Sequence, residues 1–259
     1  MGIATAGTGN ANDGDIVTLT FTASETIQTP TCTMNDGAGA AMDNSGSMSV
    51  TNPSGNIWKC AVTTHNNDAN NAMTFSVAFT DVGGTAGVAD TSVDDGSSVT
   101  IDNTHPTLTG AVLAVGGTGN GNNGDSMTLT ITPSETIGAP TCAFTSGGAA
   151  MANSVSYSTS GSDHICTIAV ADGDTDGAVA ITVDFTDSAG NAGTQVTSAS
   201  SGAVTIDNAH PTISSVSAAW GTHLNAAEDN ADKTITIVTT GAANGQTVTT
   251  TINLSLIHI

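Results

Sequence analysis

One stretch occurs twice in this chain, and its repetition narrows the available folds more than any other feature. Val99-Thr100-Ile101-Asp102-Asn103-Thr104-His105-Pro106-Thr107 returns as Val204-Thr205-Ile206-Asp207-Asn208-Ala209-His210-Pro211-Thr212. Val and Ile alternating with Thr suit a pleated, half-buried strand. The proline then fixes φ, removes a donor and pushes the residue before it to an extended conformation. Each copy reads as the last strand of one module, a stiff acidic joint and the first strand of the next.

The rest of the chain keeps the same register. Gly14 to Ile27 matches Gly124 to Ile137, Pro30-Thr31-Cys32 matches Pro140-Thr141-Cys142, Cys60 matches Cys166, and Phe79-Thr80-Asp81 matches Phe185-Thr186-Asp187. The period of about 105–110 residues is the size of a β-sandwich domain. The expected domains are therefore 1–104, 105–209 and 210–259. Gly7-Thr8-Gly9-Asn10 aligns with Gly117-Thr118-Gly119-Asn120. That places Met1 inside what should be the first strand, so the first module is expected to lack it. The third module is expected to be truncated, with an anomalous apolar tail, Leu254-Ser255-Leu256-Ile257-His258-Ile259.

Within a module the period-two pattern is clear. Val17, Leu19 and Phe21 alternate with Thr18, Thr20 and Thr22, and Met127, Leu129 and Ile131 repeat the pattern. Met73, Phe75, Val77 and Phe79 form a second alternating run, matched by Val179, Ile181, Val183 and Phe185. Such runs describe antiparallel strands with one buried face. Turn clusters separate them at Asn35-Asp36-Gly37, Asn52-Pro53-Ser54-Gly55 and Ser188-Ala189-Gly190-Asn191. No stretch reads as a helix. The fold class is all-β, a row of sandwiches.

Charge excludes some partners. Against 23 Asp and Glu the 259 residues hold only 2 Lys and Arg. Nucleic acid and anionic membrane both require clustered basic residues, so neither is expected as a partner. No apolar run is long enough to insert into a bilayer, and the first residues lack the marks of a signal peptide. The four cysteines, two per repeat, suggest disulfides and an exported protein, extracellular or at the cell surface.

A resemblance follows from motifs in this order and spacing. Ala23-Ser24-Glu25 closes an early strand, Phe185 to Gly193 reads Phe-Thr-Asp-Ser-Ala-Gly-Asn-Ala-Gly, and the joint reads Val-Thr-Ile-Asp-Asn-x-x-Pro-Thr. Together they resemble the bacterial immunoglobulin-like (Ig-like) tandem repeats of large surface proteins and adhesins, over about residues 1–209. The third module resembles another subtype of that group. Family members usually carry Thr-Ala-Pro at the joint, where this chain has His105 and His210 before the proline. The resemblance implies two nearly complete Ig-like sandwiches and a truncated third.

The matched cysteines are expected to pair as Cys32–Cys60 and Cys142–Cys166; the alternative is buried thiols. Asp172-Gly173-Asp174-Thr175-Asp176-Gly177 reads as the start of a calcium loop, with hard oxygens at alternate positions. Val183 stands where an EF-hand needs its Glu. The matching loop, Asn66 to Asn71, keeps oxygen-bearing side chains at Asn66, Asp68 and Asn70. If strands alternate between poles, Asp13, Asp15 and Asp68 approach the joint at Asp102 and Asn103. Glu135 and Asp187 should face them from the next module, a layout similar to that of cadherins. Calcium is the expected cofactor, held by Asp68, Asp102, Asn103, Glu135, Asp172, Asp174, Asp176 and Asp187. The alternative is solvated acidic turns.

Nothing points to catalysis. Ser126 in Gly124-Asp125-Ser126 is Ile16 in the first module, no His pair has zinc spacing, and Gly117 to Gly121 lacks the helix that phosphate binding uses. Trp58 could form a sugar-stacking platform, but His164 replaces it in the second module, so core packing is the expectation. The function expected is a non-catalytic stalk. Its partners are neighbouring repeats, with a glycan or surface protein as a further partner. The alternatives are a glycan- or protein-binding module, whose divergent loop would be residues 43–58, and an appendage of an exported hydrolase.

Overall fold

Strands, turns and extended segments make up all of the structure described by the computed structural model, which covers residues 2–5, 9–42, 48–116, 120–219, 233–242 and 247–251. The first sandwich is built from β1 (Gly2–Thr5), β2 (Asn10–Ala11), β3 (Ile16–Thr22), β4 (Thr31–Asn35), β5 (Ser49–Ser54), β6 (Ile57–Thr63), β7 (Asn71–Ala72), β8 (Thr74–Ala78) and β9 (Thr100–Ile101). The second repeats the order with β10 (Leu108–Val115), β11 (Asn120–Gly121), β12 (Ser126–Pro133), β13 (Thr141–Ser146), β14 (Ala149–Ala150), β15 (Ser156–Ser160), β16 (Asp163–Ala169), β17 (Gly177–Asp184) and β18 (Thr205–Ile206). One sheet runs β1-β3-β6-β5 and its counterpart β10-β12-β16-β15. The facing sheet pairs β4 with β8 in the first sandwich and β13 with β17 in the second. Parallel pairing of β2 with β9, and of β11 with β18, closes each sandwich at the side. This is the immunoglobulin-like arrangement.

The alternating residues explain why two layers form. Val17 and Leu19 are fully buried and Phe21 nearly so, while Met127, Leu129 and Ile131 are all fully buried. Their core partners are Phe75 and Val77 in the first sandwich and Ile181, Val183 and Phe185 in the second. Disulfides Cys32–Cys60 and Cys142–Cys166 each bridge the two layers, β4 to β6 and β13 to β16. Trp58 lies in the first core and offers no platform to solvent.

Two expectations are corrected. The first strand is not missing: β1 pairs with β3 from Gly2↔Thr20 to Thr5↔Val17, four residues against eight in β10. The free edge of β3 is an unpaired ladder that even a short extended segment completes. The turn expected at Asn52 to Gly55 begins later, because β5 continues through Ser54 with a register shift after Thr51. As an outer strand, β5 can hold Pro53, whose missing donor breaks no ladder there.

Met1–Ile206 form one compact unit, and Asp207–Ile259 form another. The second contains an antiparallel hairpin of β19 (Thr212–Ala218) and β20 (Ile235–Thr240) with Ile213, Val216 and Val238 exposed. The tail 254–259, the loop at 117–119 and residues 43–47 lie outside the described residues.

Candidate cation site at the joint

Six residues separate β9 from β10, and hydrogen bonds tie most of them down. Asp102 donates its N–H to Ala11 O at 2.9 Å. Asn103 donates Nδ2–H to the carbonyls of His65 and Asp68, both at 3.0 Å, and its backbone N–H to Asn70 Oδ1 at 2.8 Å. Pro106 is buried. Thr107 exchanges bonds with Ser134 in the second sandwich. The proline and this ladder leave the joint no free segment.

A tight hairpin of the second sandwich closes onto it. Asp187 Oδ1 accepts the backbone N–H groups of Ala189, Gly190 and Asn191 at 2.8–2.9 Å, which folds the turn. Gly190 has φ 101°, a backbone conformation that favours glycine, and its Cα side faces Asn12 Nδ2. Asn191 donates Nδ2–H to Asp187 Oδ2 and to Asp102 O, while its own Oδ1 accepts from Asn12. His105 Nδ1 lies 2.9 Å from Ala192 O. Asn12, Asp13, Asn66, Asn103, His105 and Asn191 line a cleft of about 260 Å³ here.

The acidic residues singled out in the sequence divide into two groups. Asp102, at the end of the first sandwich, meets Glu135 and Asp187 from two loops of the second, with one oxygen of each within 4.8 Å of the others. Asp187 is buried and the other two are half-buried. Burial first, and then the charges of Asp102 and Asp187, hold the Glu135 carboxyl above its usual range. Neither Lys nor Arg contributes to that balance; Lys59 is on β6 and Lys233 belongs to the other unit. Asn103 is adjacent in sequence, and its Oδ1 is buried without a hydrogen-bond partner.

Asp68 and the calcium-loop residues are used differently. Asp68 is buried, and its Oδ2 accepts from His65 N at 2.7 Å. Asp174 is likewise buried, accepting Ala152 N and Ala171 N at 2.8 Å. Asp172, Asp174 and Asp176 do not join in a cluster of three carboxylates; among the described residues that cluster forms only at Asp102, Glu135 and Asp187. Sequence reasoning missed Asn191, the bridge between Asp102 and Asp187. Its signal was its place in the Asp-Ser-Ala-Gly-Asn turn.

The strand order and core define tandem Ig-like β-sandwiches, an all-β fold. No family model matches the chain, and no curated protein matches it. Among solved structures it is similar to the "3Ig" structure of titin domains in an E-to-A mutated variant, at 12% identity over 76% of this chain and 61% of that one, TM-score 0.39. It is also similar to a marsupial T cell receptor, at 12% identity over 83% of this chain and 77% of that one, TM-score 0.42. The chain spans less than two thirds of the length of the titin structure.

Proposed function

We propose that this chain is a length of non-catalytic stalk from a secreted or cell-surface bacterial protein of the adhesin type. In this reading a divalent cation, calcium by its oxygen preference, stiffens the joint between sandwiches. The supporting observation is the meeting of Asp102, Glu135 and Asp187 across the joint with no basic residue among their partners. Gathered carboxylates repel one another unless a cation lies among them. The donors fit a hard cation: three carboxylates, with the unpartnered Asn103 Oδ1 beside Asp102 in sequence. Two disulfides suit an oxidising compartment, and among the described residues no helix is long and apolar enough to cross a membrane. Partners in this role are adjoining repeats of the same type, with a glycan or surface protein bound elsewhere on the assembly.

The test is a calcium titration of chelated protein, followed by melting and small-angle X-ray scattering. Extracellular sites of this kind bind with Kd around 10⁻⁴–10⁻³ M. At roughly ten to a hundred times Kd, binding adds about 1.4–2.7 kcal/mol, or about 3–10 °C in Tm for a unit of this size. The maximum dimension should narrow to one value as calcium is added. Both changes should vanish in the Asp102→Asn, Glu135→Gln double variant. An equal response from that variant places the cation elsewhere, and no response in the natural chain ends the proposal.

A further inference from the structure

The two sandwiches differ along one outer strand, β5 in the first and β15 in the second. In the first, β5 carries Pro53, and its register against β6 shifts between Thr51 and Ser54. A missing donor and an irregular ladder are two of the ways in which a sheet edge is kept from pairing with another chain. The second sandwich has neither. Ser156 to Ser160 pair with Thr167 to Asp163 of β16 without a break, and all five are exposed. β15 ends its sheet, and among the described residues no strand or isolated bridge lies on its outer side. Charge is missing there too. From Thr136 to Ser162 there is no Asp, Glu, Lys, Arg or His, in a chain of net charge −21. The matching stretch of the first sandwich holds Asp36 and Asp43. Tyr157 is already set in place on this edge: its hydroxyl lies 2.6 Å from His164 Nδ1, and the two rings stack with centroids 5.7 Å apart.

We propose that the free edge of β15 is a docking strand, and that its occupant is β15 of a second copy of this chain, paired antiparallel about a two-fold axis at Ser158. Alternate residues of an outer strand turn N–H and C=O away from their sheet, and a second strand satisfies them. The occupant is argued from charge and from sequence. Two copies at −21 repel each other over most of their surface. Contact is least opposed along a neutral seam, and β15 and its flanks are neutral from end to end. Ser-Tyr-Ser-Thr-Ser also reads almost the same in both directions. About Ser158 it sets Ser156 opposite Ser160 of the copy and Tyr157 opposite Thr159. These are hydroxyl pairs and an aromatic–β-branched pair, both favourable across strands. An isologous contact of this kind closes as a dimer. Because Tyr157 is held by His164, pairing costs it little rotamer freedom. Five residues a side make an interface smaller than a stable dimer needs, so the pairing is weak for one module. Where several such modules lie in a row it repeats, and the contacts add by avidity.

The test is sedimentation equilibrium of the full chain up to about 1 mM, with chelator present throughout to keep this contact apart from the cation reading of the joint. A monomer–dimer equilibrium with Kd on the order of 10⁻⁴ M is expected. It should tighten between about 0.05 and 0.5 M NaCl, as repulsion between the copies is screened. Ser158→Glu sets like charges face to face at the axis and should weaken pairing at least about tenfold, with Tm unchanged. Ser158→Lys by itself should do the same. An equimolar mixture of the two variants should pair at least as tightly as the natural chain, a rescue that no folding defect allows. Thr51→Lys, on the outer strand of the first sandwich, should not rescue Ser158→Glu. A natural chain that stays monomeric at about 1 mM overturns the proposal. So does pairing that Ser158→Glu leaves intact, or a mixture that stays monomeric. Association weakened by salt, or rescued by Thr51→Lys, overturns it as well, because either places the contact elsewhere.

Discussion

Single residues carry the conflicts that the repeat pattern conceals. Asn71 has φ 139°, and its counterpart Gly177 has φ 137°, so one module meets this backbone demand with glycine and the other with strain. Asn71→Gly should relieve about 1 kcal/mol after glycine's own entropy cost, seen as a Tm rise of about 2–4 °C. Lower stability would mean that the Asn71 Oδ1 contact with Ala72 N matters more than the backbone strain. Glu135 acts in the opposite sense to Asp36, Asp81 and Asp95. Its folded pKa is raised above 4.5, so the folded state prefers it protonated. Without calcium, stability should fall as pH rises from 4.5 through that raised value. Glu135→Gln in chelator at pH 7 should raise Tm by about 1–2 °C, the result of roughly half a kcal/mol of screened repulsion. Asp36 runs the other way. The N–H of Ala69, then those of Ala40, Ala38 and Gly39, hold it below 3.8. Its contribution is present above that pH and is lost as pH falls through the lower value. Melting curves of natural chain and Glu135→Gln from about pH 2 to 8 separate the two effects, and parallel curves would remove Glu135 from the account.

At the scale of elements, each disulfide ties a strand of one layer to a strand of the other. The bridged residues are 28 and 24 apart in sequence. Loops of that size are stabilised by about 3.5 kcal/mol each on the chain-entropy model. Reduction under native conditions should therefore lower the midpoint of urea unfolding substantially in both sandwiches. Cys142→Ala with Cys166→Ala should destabilise the second sandwich and leave melting of the first nearly unchanged. Retained stability after full reduction would show that the apolar layers suffice alone. The strands were legible because their apolar residues fall at every second position, and a one-residue slip would expose every one of them. Short elements such as β2, β7 and β11 were less legible. Two residues carry no periodicity, and only the opposite strand defines them. The start of β1 was misjudged because an edge ladder recruits whatever extended chain lies beside it.

At the scale of the molecule, the joint decides behaviour, because a row of sandwiches is only as stiff as its links. A net charge of −21 favours spread chains and makes screening or bound cations stabilising, which is the setting for the calcium response predicted above. The sequence by itself determined the repeat, the two-layer β architecture, the cysteine partners and the acidic character of the joint. Those follow from local alternation, from spacing and from composition, which need no knowledge of distant contacts. Only the tertiary structure decided which carboxylates meet. Asp174 and Asp68 turn inward and accept backbone N–H groups, whereas Asp102, Glu135 and Asp187 converge from positions 33 to 85 residues apart. That meeting depends on how loops from separate strands arrive at one pole, a matter of packing in three dimensions.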